Sequence, residues 1–313
     1  MPQHSRIAVA RRFGPPEVIA IESHPLAPLG ARQVRVAVRI GGLNPVDARR
    51  RSGTFGGGVP MTLGTEFAGV VIESNDSAWQ PGDEVIGWGV AAADADAVVT
   101  DGDRLQAKPA ELAWEIAGGL SGVGQSALTA LDALTLHEGD LIVVHGAAGG
   151  VGTVLVQSAV ARGIRVIGTA SPTSLDYVRE LGAIPVVYGP GLAERIAEAS
   201  AGDAIVASID LAGSSEAGDV AHSVQATGGQ AVTLVPETMS SHRLRLVQTQ
   251  RSAARLRQLL DAVTDGSLRF PVTTLPFTEI VEAHRRLDAK HANGKLVLDL
   301  SDNPLLPTTP KEA

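Results

Sequence analysis

Apolar and polar residues alternate over Val34-Arg35-Val36-Ala37-Val38-Arg39-Ile40, the period-two pattern of a strand with one buried face. Residues 67–73 and 83–87 carry the same texture, the second entered through a Pro81-Gly82 turn. Residues 1–110 are therefore predicted to be mostly β, a small barrel of short strands punctuated by Gly and Pro. Near residue 111 the period changes. Helices are expected over 111–120 and 127–134, and then strands alternate with helices. The strands are 141–145, 165–169, 185–188, 204–210 and 230–235; the helices are 151–162, 175–182, 192–200 and 216–225. Regular β-α alternation predicts a parallel, doubly wound α/β sheet. A helix over 252–264 follows, and residues 266–300 return to short strands and one helix, 277–288. The expected division is a β-rich domain of residues 1–115 and 266–313 around an α/β domain of residues 116–265. From Asp302 onward, three prolines and little apolar character predict a disordered tail.

A chain of 313 residues exceeds the usual single-core size, consistent with two domains. Acidic residues outnumber basic ones 34 to 26, giving a net charge of −8, which argues against nucleic acid or an anionic membrane as partner. Arg243, Arg245, Arg251, Arg255 and Arg257 do not share one helix face, so they do not restore a nucleic-acid reading. There is no cysteine, which excludes disulfides and any Cys-ligated zinc. Arg11-Arg12 superficially resembles a twin-arginine signal, but Gly14-Pro15-Pro16 follows in place of an apolar stretch. With no apolar run long enough to span a bilayer, a cytoplasmic protein is expected. Gly124-Gln125-Ser126-Ala127-Leu128 begins like a nucleophile elbow but lacks the closing glycine and follows no predicted strand, so a hydrolase is set aside.

The chemistry-bearing segment is Val143-Val144-His145-Gly146-Ala147-Ala148-Gly149-Gly150-Val151-Gly152, between a predicted strand and a predicted helix. Glycines there permit a tight turn, close approach of the backbone to a pyrophosphate, and tight helix–strand packing. The helix N-terminus offers free N–H groups and the positive end of its dipole to the phosphates. Gly146, Ala148, Gly149, Gly150, Val151 and Gly152 are accordingly expected to bind a dinucleotide on a Rossmann sheet. About 20 residues further on, an NAD site carries Asp or Glu for the adenosine 2′-hydroxyl. Here the sequence is Gly168-Thr169-Ala170-Ser171. Thr169 and Ser171 leave room for a 2′-phosphate and can hydrogen-bond it, with Tyr188 and Arg179 as possible helpers, so NADPH is the expected cofactor. The competing reading is that Ser171 only caps a turn before Pro172.

Several segments together resemble the medium-chain dehydrogenase/reductase superfamily, specifically its zinc-free quinone oxidoreductase branch. They are Gly42-Leu43-Asn44-Pro45-Val46-Asp47 with Arg51-Ser52-Gly53, Gly64-Thr65-Glu66-Phe67-Ala68-Gly69-Val70-Val71, the glycine loop, Gly168–Ser171, and His291-Ala292-Asn293-Gly294-Lys295-Leu296-Val297-Leu298. The resemblance implies a GroES-like catalytic domain built from both termini, a Rossmann domain, an active site in the cleft between them, and a homodimer. It implies that Asn44, Asp47 and Thr129 lie near the nicotinamide and its ribose, and that Asn293 and Lys295 belong to a segment passing close to the cofactor. Leu211 and Val235, at the ends of two later strands, complete the expected cofactor-binding set.

Zinc-bearing relatives place Cys near position 44 and His before the glutamate; this chain has Asn44 and Thr65. Its eight histidines show no metal-ligand spacing, and His145, ahead of the glycine loop, reads as structural. Asp94, Asp96, Asp101 and Asp103 lack the glycine and glutamate of a calcium loop and read as a solvated strand edge. No metal is expected. Without a Lewis acid, quinones and the C=C bond of α,β-unsaturated carbonyl compounds are the acceptors expected for hydride. Asn44, Arg49 and Thr129 are the catalytic candidates. Arg49 could stabilise charge on a carbonyl oxygen, or Arg49-Arg50-Arg51 could be a solvated basic turn; the sequence leaves both open. Relatives often carry Tyr where this chain has Phe55, and no proton donor is identifiable, so water is a candidate source. An NADPH-binding sensor or scaffold without substantial turnover is the alternative function.

Overall fold

The computed structural model describes residues 4–289 and 294–307. Two compact units emerge: the first takes the chain up to Gly122, Ser252–Thr264 and the chain from Pro271, and the second takes Val123–Arg251 and Asp265–Phe270. The first unit opens with β1 (His4–Ala10), β2 (Ile19–Pro25), β3 (Gln33–Gly42), α1 (Pro45–Ser52), β4 (Met61–Thr62), β5 (Glu66–Ser74), β6 (Glu84–Trp88), β7 (Ala97–Asp101) and β8 (Leu105–Ala107). The alternation over 34–40 places Val34, Val36 and Val38 in one core with Phe67, Val71 and Val85.

Helix α2 (Trp114–Asp132) then runs unbroken where two helices were expected, and the division between units falls within it. Glycine inside a helix costs about 1 kcal/mol relative to alanine, which is why the sequence reads as a break. Here the glycines permit close approach instead. A Cβ on Gly118 would lie 2.3 Å from Ile40 Cγ2, and one on Gly122 would lie 2.9 Å from Glu66 Oε1.

The second unit alternates as expected: β9 (Leu141–His145), α3 (Gly150–Ala161), β10 (Arg165–Ala170), α4 (Leu175–Glu180), β11 (Ile184–Val187), α5 (Leu192–Ser200), β12 (Ile205–Asp210), α6 (Ser215–Ala226), β13 (Gln230–Thr233), α7 (Pro236–His242) and β14 (Arg245–Leu246). The strands are parallel in the order β11-β10-β9-β12-β13-β14, so the chain reverses direction of growth beside β9. Ligands of such sheets bind at that point, outside the carboxyl ends of the strands.

The chain returns to the first unit through α8 (Ala253–Thr264), β15 (Val272–Pro276), α9 (Ile280–Ala289) and β16 (Lys295–Asp299). Helix α8, expected with the α/β domain, joins the first unit instead and packs against β8; Leu256, Leu259 and Leu260 are its buried face. Strands β15 and β16 pair in parallel, and β16 lies antiparallel to β3, giving the order β15-β16-β3-β5-β6-β8, with β7 also on β3.

Two expectations are corrected here. The tail is ordered as far as it is described: buried Asn303 donates through Nδ2 to Val38 O and Asp96 O, both at 2.7 Å, and Asp302 pairs with Arg6. Residues 308–313 lie outside the described residues. The aspartates are not all on a solvated edge either, since Asp94 and Asp96 are fully buried. Asp96 accepts from the Arg6 guanidinium and backbone, whereas neither oxygen of Asp94 has a hydrogen-bond partner.

Candidate functional site

In the first unit, β3 ends at Gly42 and the chain turns into α1, whose first turn is braced by Asp47 reaching back to the Asn44 N–H at 2.8 Å. The Asn44 side chain then meets two charged groups brought from far along the chain. Lys295, on β16, donates through Nζ to Asn44 Oδ1 at 2.7 Å, Glu66 Oε1 at 2.7 Å and Leu43 O at 2.6 Å. Asn44 Nδ2 donates to the same Glu66 oxygen at 2.8 Å, and Glu66 Oε2 accepts from the Gly122 N–H of α2. An ammonium at Oδ1 fixes which way the amide faces, so Nδ2 is the edge left to meet other acceptors. Thr65 Oγ1 stands 3.4 Å from that nitrogen.

Asp47, Glu66 and Asp94 surround one buried lysine. Burial pushes the Asp47 carboxyl up to about 6, with Glu66 adding repulsion and Lys295 opposing it. Asp94 is pushed well above the usual carboxylate range by burial, then by Asp47 and Glu66.

Arg49 and Arg50 are half-buried in the last turn of α1, where cations favour the helix dipole. Arg51 is not part of a solvated turn: it is buried and donates to Asp288 at 2.7 Å and Gly14 O at 3.1 Å, with His284 Nδ1 at 3.1 Å. Burial, with that arginine's charge adding to it, holds the His284 imidazole neutral, down to about 3. Phe55, just beyond, is exposed.

In the second unit the glycine loop follows β9. Gly146 adopts φ +78, a left-handed conformation, and Gly149 caps α3 with no side-chain hydrogen bond. A Cβ on Gly152 would lie 2.3 Å from Gly146 O and 2.6 Å from Ala147 O, both backbone atoms. Ala148, Gly149, Gly150 and Val151 remain partly exposed at the turn. Thr169, buried at the end of β10, accepts the Gly146 N–H at 3.3 Å and bonds Ala147 N through its carbonyl. Ser171 leads a short 3-10 turn, and its hydroxyl lies 3.0 Å from Thr173 Oγ1 and 2.9 Å from Ser174 Oγ. Three hydroxyls thus gather where an NAD site needs a carboxylate. Tyr188 is exposed next to them, its N–H on Ala170 O, and Arg179 is paired with Asp176.

His145 is buried with neither ring nitrogen hydrogen-bonded, and burial holds it neutral, down to about 4. Leu211 follows β12, its N–H on His145 O, and Val235 precedes α7. Thr129, on α2, is buried; its hydroxyl sits 2.6 Å from Gln125 O and accepts the Gln250 N–H at 3.1 Å. Asn293 lies outside the described residues. Glu66, within the Gly64–Val71 segment, carried no expected role, no motif marked Asp210 or Thr238, and Asp94 was expected on a solvated strand edge.

Comparisons with known proteins show the family. Residues 30–95 match the family model for an alcohol dehydrogenase GroES-like domain, and residues 181–298 match one described as zinc-binding dehydrogenase. The chain is 28% identical over 319 residues to a chloroplastic NADPH-dependent alkenal/one oxidoreductase of Arabidopsis thaliana, covering 95% of this chain and 80% of that protein. It is 33% identical over 168 residues to the quinone oxidoreductase of Mus musculus, about half of each chain (50% and 50%). The structure of the quinone oxidoreductase from Coxiella burnetii superposes with a TM-score of 0.84 at 26% identity, over 95% of this chain and 99% of the other. The chain belongs to the medium-chain dehydrogenase/reductase superfamily, in its quinone oxidoreductase branch. It is an oxidoreductase of that superfamily. Its α/β sheet and GroES-like domain are those of the branch.

Despite the description of one matching model, the residues of this oxidoreductase do not fit zinc. Asn44 and Thr65 offer an amide and a hydroxyl where thiolate or imidazole would be needed, and Glu66 is already bonded to an ammonium. Among the described residues no group of three or more His, Cys, Asp or Glu is arranged to hold a metal ion. No helix among them is long and apolar enough to cross a membrane.

Proposed function

We propose that this oxidoreductase is a zinc-independent, NADPH-dependent reductase of quinones or of the C=C bond of α,β-unsaturated carbonyl compounds. The observation that carries this reading is the Asn44–Glu66–Lys295 set, in which the buried cation is an ammonium with all three N–H groups accepted by protein. Such a centre cannot act as a Lewis acid on an isolated carbonyl, so an acceptor that delocalises the incoming charge suits it better. The glycine loop fits a dinucleotide: Gly152 leaves the space a side chain would fill, and the N-terminus of α3 is open to phosphate. Ser171, Thr173 and Ser174 would donate to the 2′-phosphate, which a carboxylate would repel. NADPH supplies the hydride.

Asn44 is the donor assigned to the substrate or ribose oxygen, with Lys295 and Glu66 fixing its amide. Arg49 is assigned to the oxygen on which negative charge develops, a role a guanidinium suits better than proton donation. Lys295 has no proton to spare, and water supplies the proton. Thr129 is a weaker candidate for the chemistry, because its hydroxyl proton is directed at Gln125 O. We further propose a cytoplasmic homodimer.

The reading is tested by following NADPH consumption across quinones, enones, enoyl thioesters, saturated aldehydes and secondary alcohols. Turnover is expected with the first three only, with less than stoichiometric zinc by elemental analysis. Efficient alcohol oxidation, or activity lost with removal of one zinc per chain, would overturn it. NADPH binding without oxidation by any acceptor would favour the sensor reading. Ser171→Asp should erase the preference for NADPH over NADH, and Arg49→Ala should lower kcat/KM for an enone by roughly ten- to a thousand-fold with NADPH affinity nearly unchanged.

A further inference from the structure

Asp210, the last residue of β12, is a fully buried carboxylate that the chemistry above does not use. Burying a carboxylate costs several kcal/mol unless its oxygens are hydrogen-bonded. Here Oδ1 accepts the N–H groups of Ala212 and Gly213, both at 2.9 Å, and Oδ2 accepts the hydroxyls of Thr233 at 2.9 Å and Thr238 at 2.5 Å. Every one of those donors lies in, or beside, the two loops that leave β12 and β13. Thr233 Oγ1 in turn accepts the Val235 N–H at 2.8 Å. The loops also touch directly: Gly213, at φ +72, has the position of its absent Cβ only 2.5 Å from Val235 Cγ1. A Cβ on Gly146 would lie 3.5 Å from the backbone of Leu211 and Ala212, so the same assembly abuts the glycine loop.

Strand order says what this assembly faces. The phosphate-binding loop follows β9, and the hydroxyl cluster for the adenosine half follows β10 on one side of it. A dinucleotide straddling the β9 loop must place its other nucleoside over the opposite side, at the ends of β12 and β13. We propose that Asp210, with Thr233 and Thr238, is a positioning device. It locks the Leu211–Gly213 and Val235 loops in the one arrangement that receives the nicotinamide nucleoside. This inference rests on the dinucleotide reading of the glycine loop. It predicts that disturbing the Asp210 bonds weakens recognition of one half of the cofactor and spares the other.

The test uses two probes on the full chain, NADPH and 2′,5′-ADP, which carries the adenosine half alone, titrated by calorimetry. In Thr238→Val the NADPH Kd should rise about tenfold, the loss of roughly one hydrogen bond to a charged acceptor, while 2′,5′-ADP stays within about twofold. Thr238→Ser, which keeps the hydroxyl, should restore NADPH binding, and Asp210→Asn should shift binding in the same direction as Thr238→Val. Should Asp210→Asn fail to fold, the two Thr238 variants decide the matter alone. Unchanged NADPH affinity in Thr238→Val would overturn the proposal, and so would an equal loss for both probes, the mark of a merely structural role. If the unaltered protein binds neither probe, the dinucleotide reading itself fails and this inference goes with it.

Discussion

Each unit buries carboxylates at its centre, but stabilises them by different means. In the first, the Lys295 ammonium bonds Glu66 and acts on Asp47 and Asp94 through its charge alone, and oxygens of Asp47 and Asp94 are left without partners. In the second, Asp210 has no cation bonded to it among the described residues; two N–H groups and two hydroxyls satisfy it. The first arrangement depends on charge balance, and is therefore exposed to pH and to loss of one partner. The second depends on donor geometry, and is exposed to small movements of loops. A charged interior reports on protonation, whereas a dipolar one reports on position.

The comparison breaks most readily at Lys295. Lys295→Met leaves buried carboxylates without their cation and should cost about 3–5 kcal/mol of unfolding free energy in urea titrations. Thr238→Val should cost less, about 1.5–3 kcal/mol. Equal losses would show that the two interiors are not energetically distinct.

Protonation gives the next largest effect. The folded pKa of Asp47, about 6, lies above its unfolded value of 3.8, so the proton-bound form favours folding. Its contribution is present below pH 4 and is lost as pH rises through 6, and Asp94 shifts in the same direction. Asp47→Asn should therefore gain stability relative to the unaltered protein between pH 4 and 6, by at most about 3 kcal/mol. His145 has the opposite sign. Its folded pKa of about 4 lies below 6.5, so its contribution is present above pH 6.5 and lost as pH falls towards 4. His284 in the first unit acts with His145, down to about 3. His145→Gln should shed part of the acid-side loss; denaturation curves at pH 4.5 and 7 for both variants check the two signs.

The smallest expected change is Gly152→Ala. Its Cβ would press on Gly146 O and Ala147 O, backbone that cannot swing away, so about 1–3 kcal/mol of stability should go. Calorimetry should show NADPH affinity falling with it, while the pH dependence contributed by Asp47 stays as it was. Full NADPH affinity in the Gly152→Ala variant would mean that the loop is looser than its packing indicates.

How much of this was readable from the chain varies with distance along it. The turn and the tight helix packing of the glycine loop were legible because both fall within ten residues. Lys295 and Asn44 are 251 residues apart, and only their resemblance to family segments brought them to notice, not their pairing. Asp210 and Thr238 carry no local signature, since they stand 28 residues apart and no motif joins them. The continuous α2 was misread because a glycine that breaks a solvated helix is the same residue that lets a buried one come close. Asp94 and Asp96 were misplaced because failing the pattern of a calcium loop says nothing about burial, and both are buried.

The pairing of β16 with β3 joins Val297 to Gly42, and Asn303 then donates to Val38 O across 265 residues. By contrast, every strand of the second unit's sheet lies between Leu141 and Leu246. During synthesis the second sheet can close while the first still lacks a strand on the β3 edge. Its Gly41 and Gly42 end of β3 must wait, unpaired on that side, until residues 295–299 emerge. Non-local pairings of that span fold slowly, and an open strand edge recruits other chains in the meantime. The topology thus sets the order in which partners emerge: the strands of the second sheet are all present before Lys295 arrives on the strand that completes the charged centre.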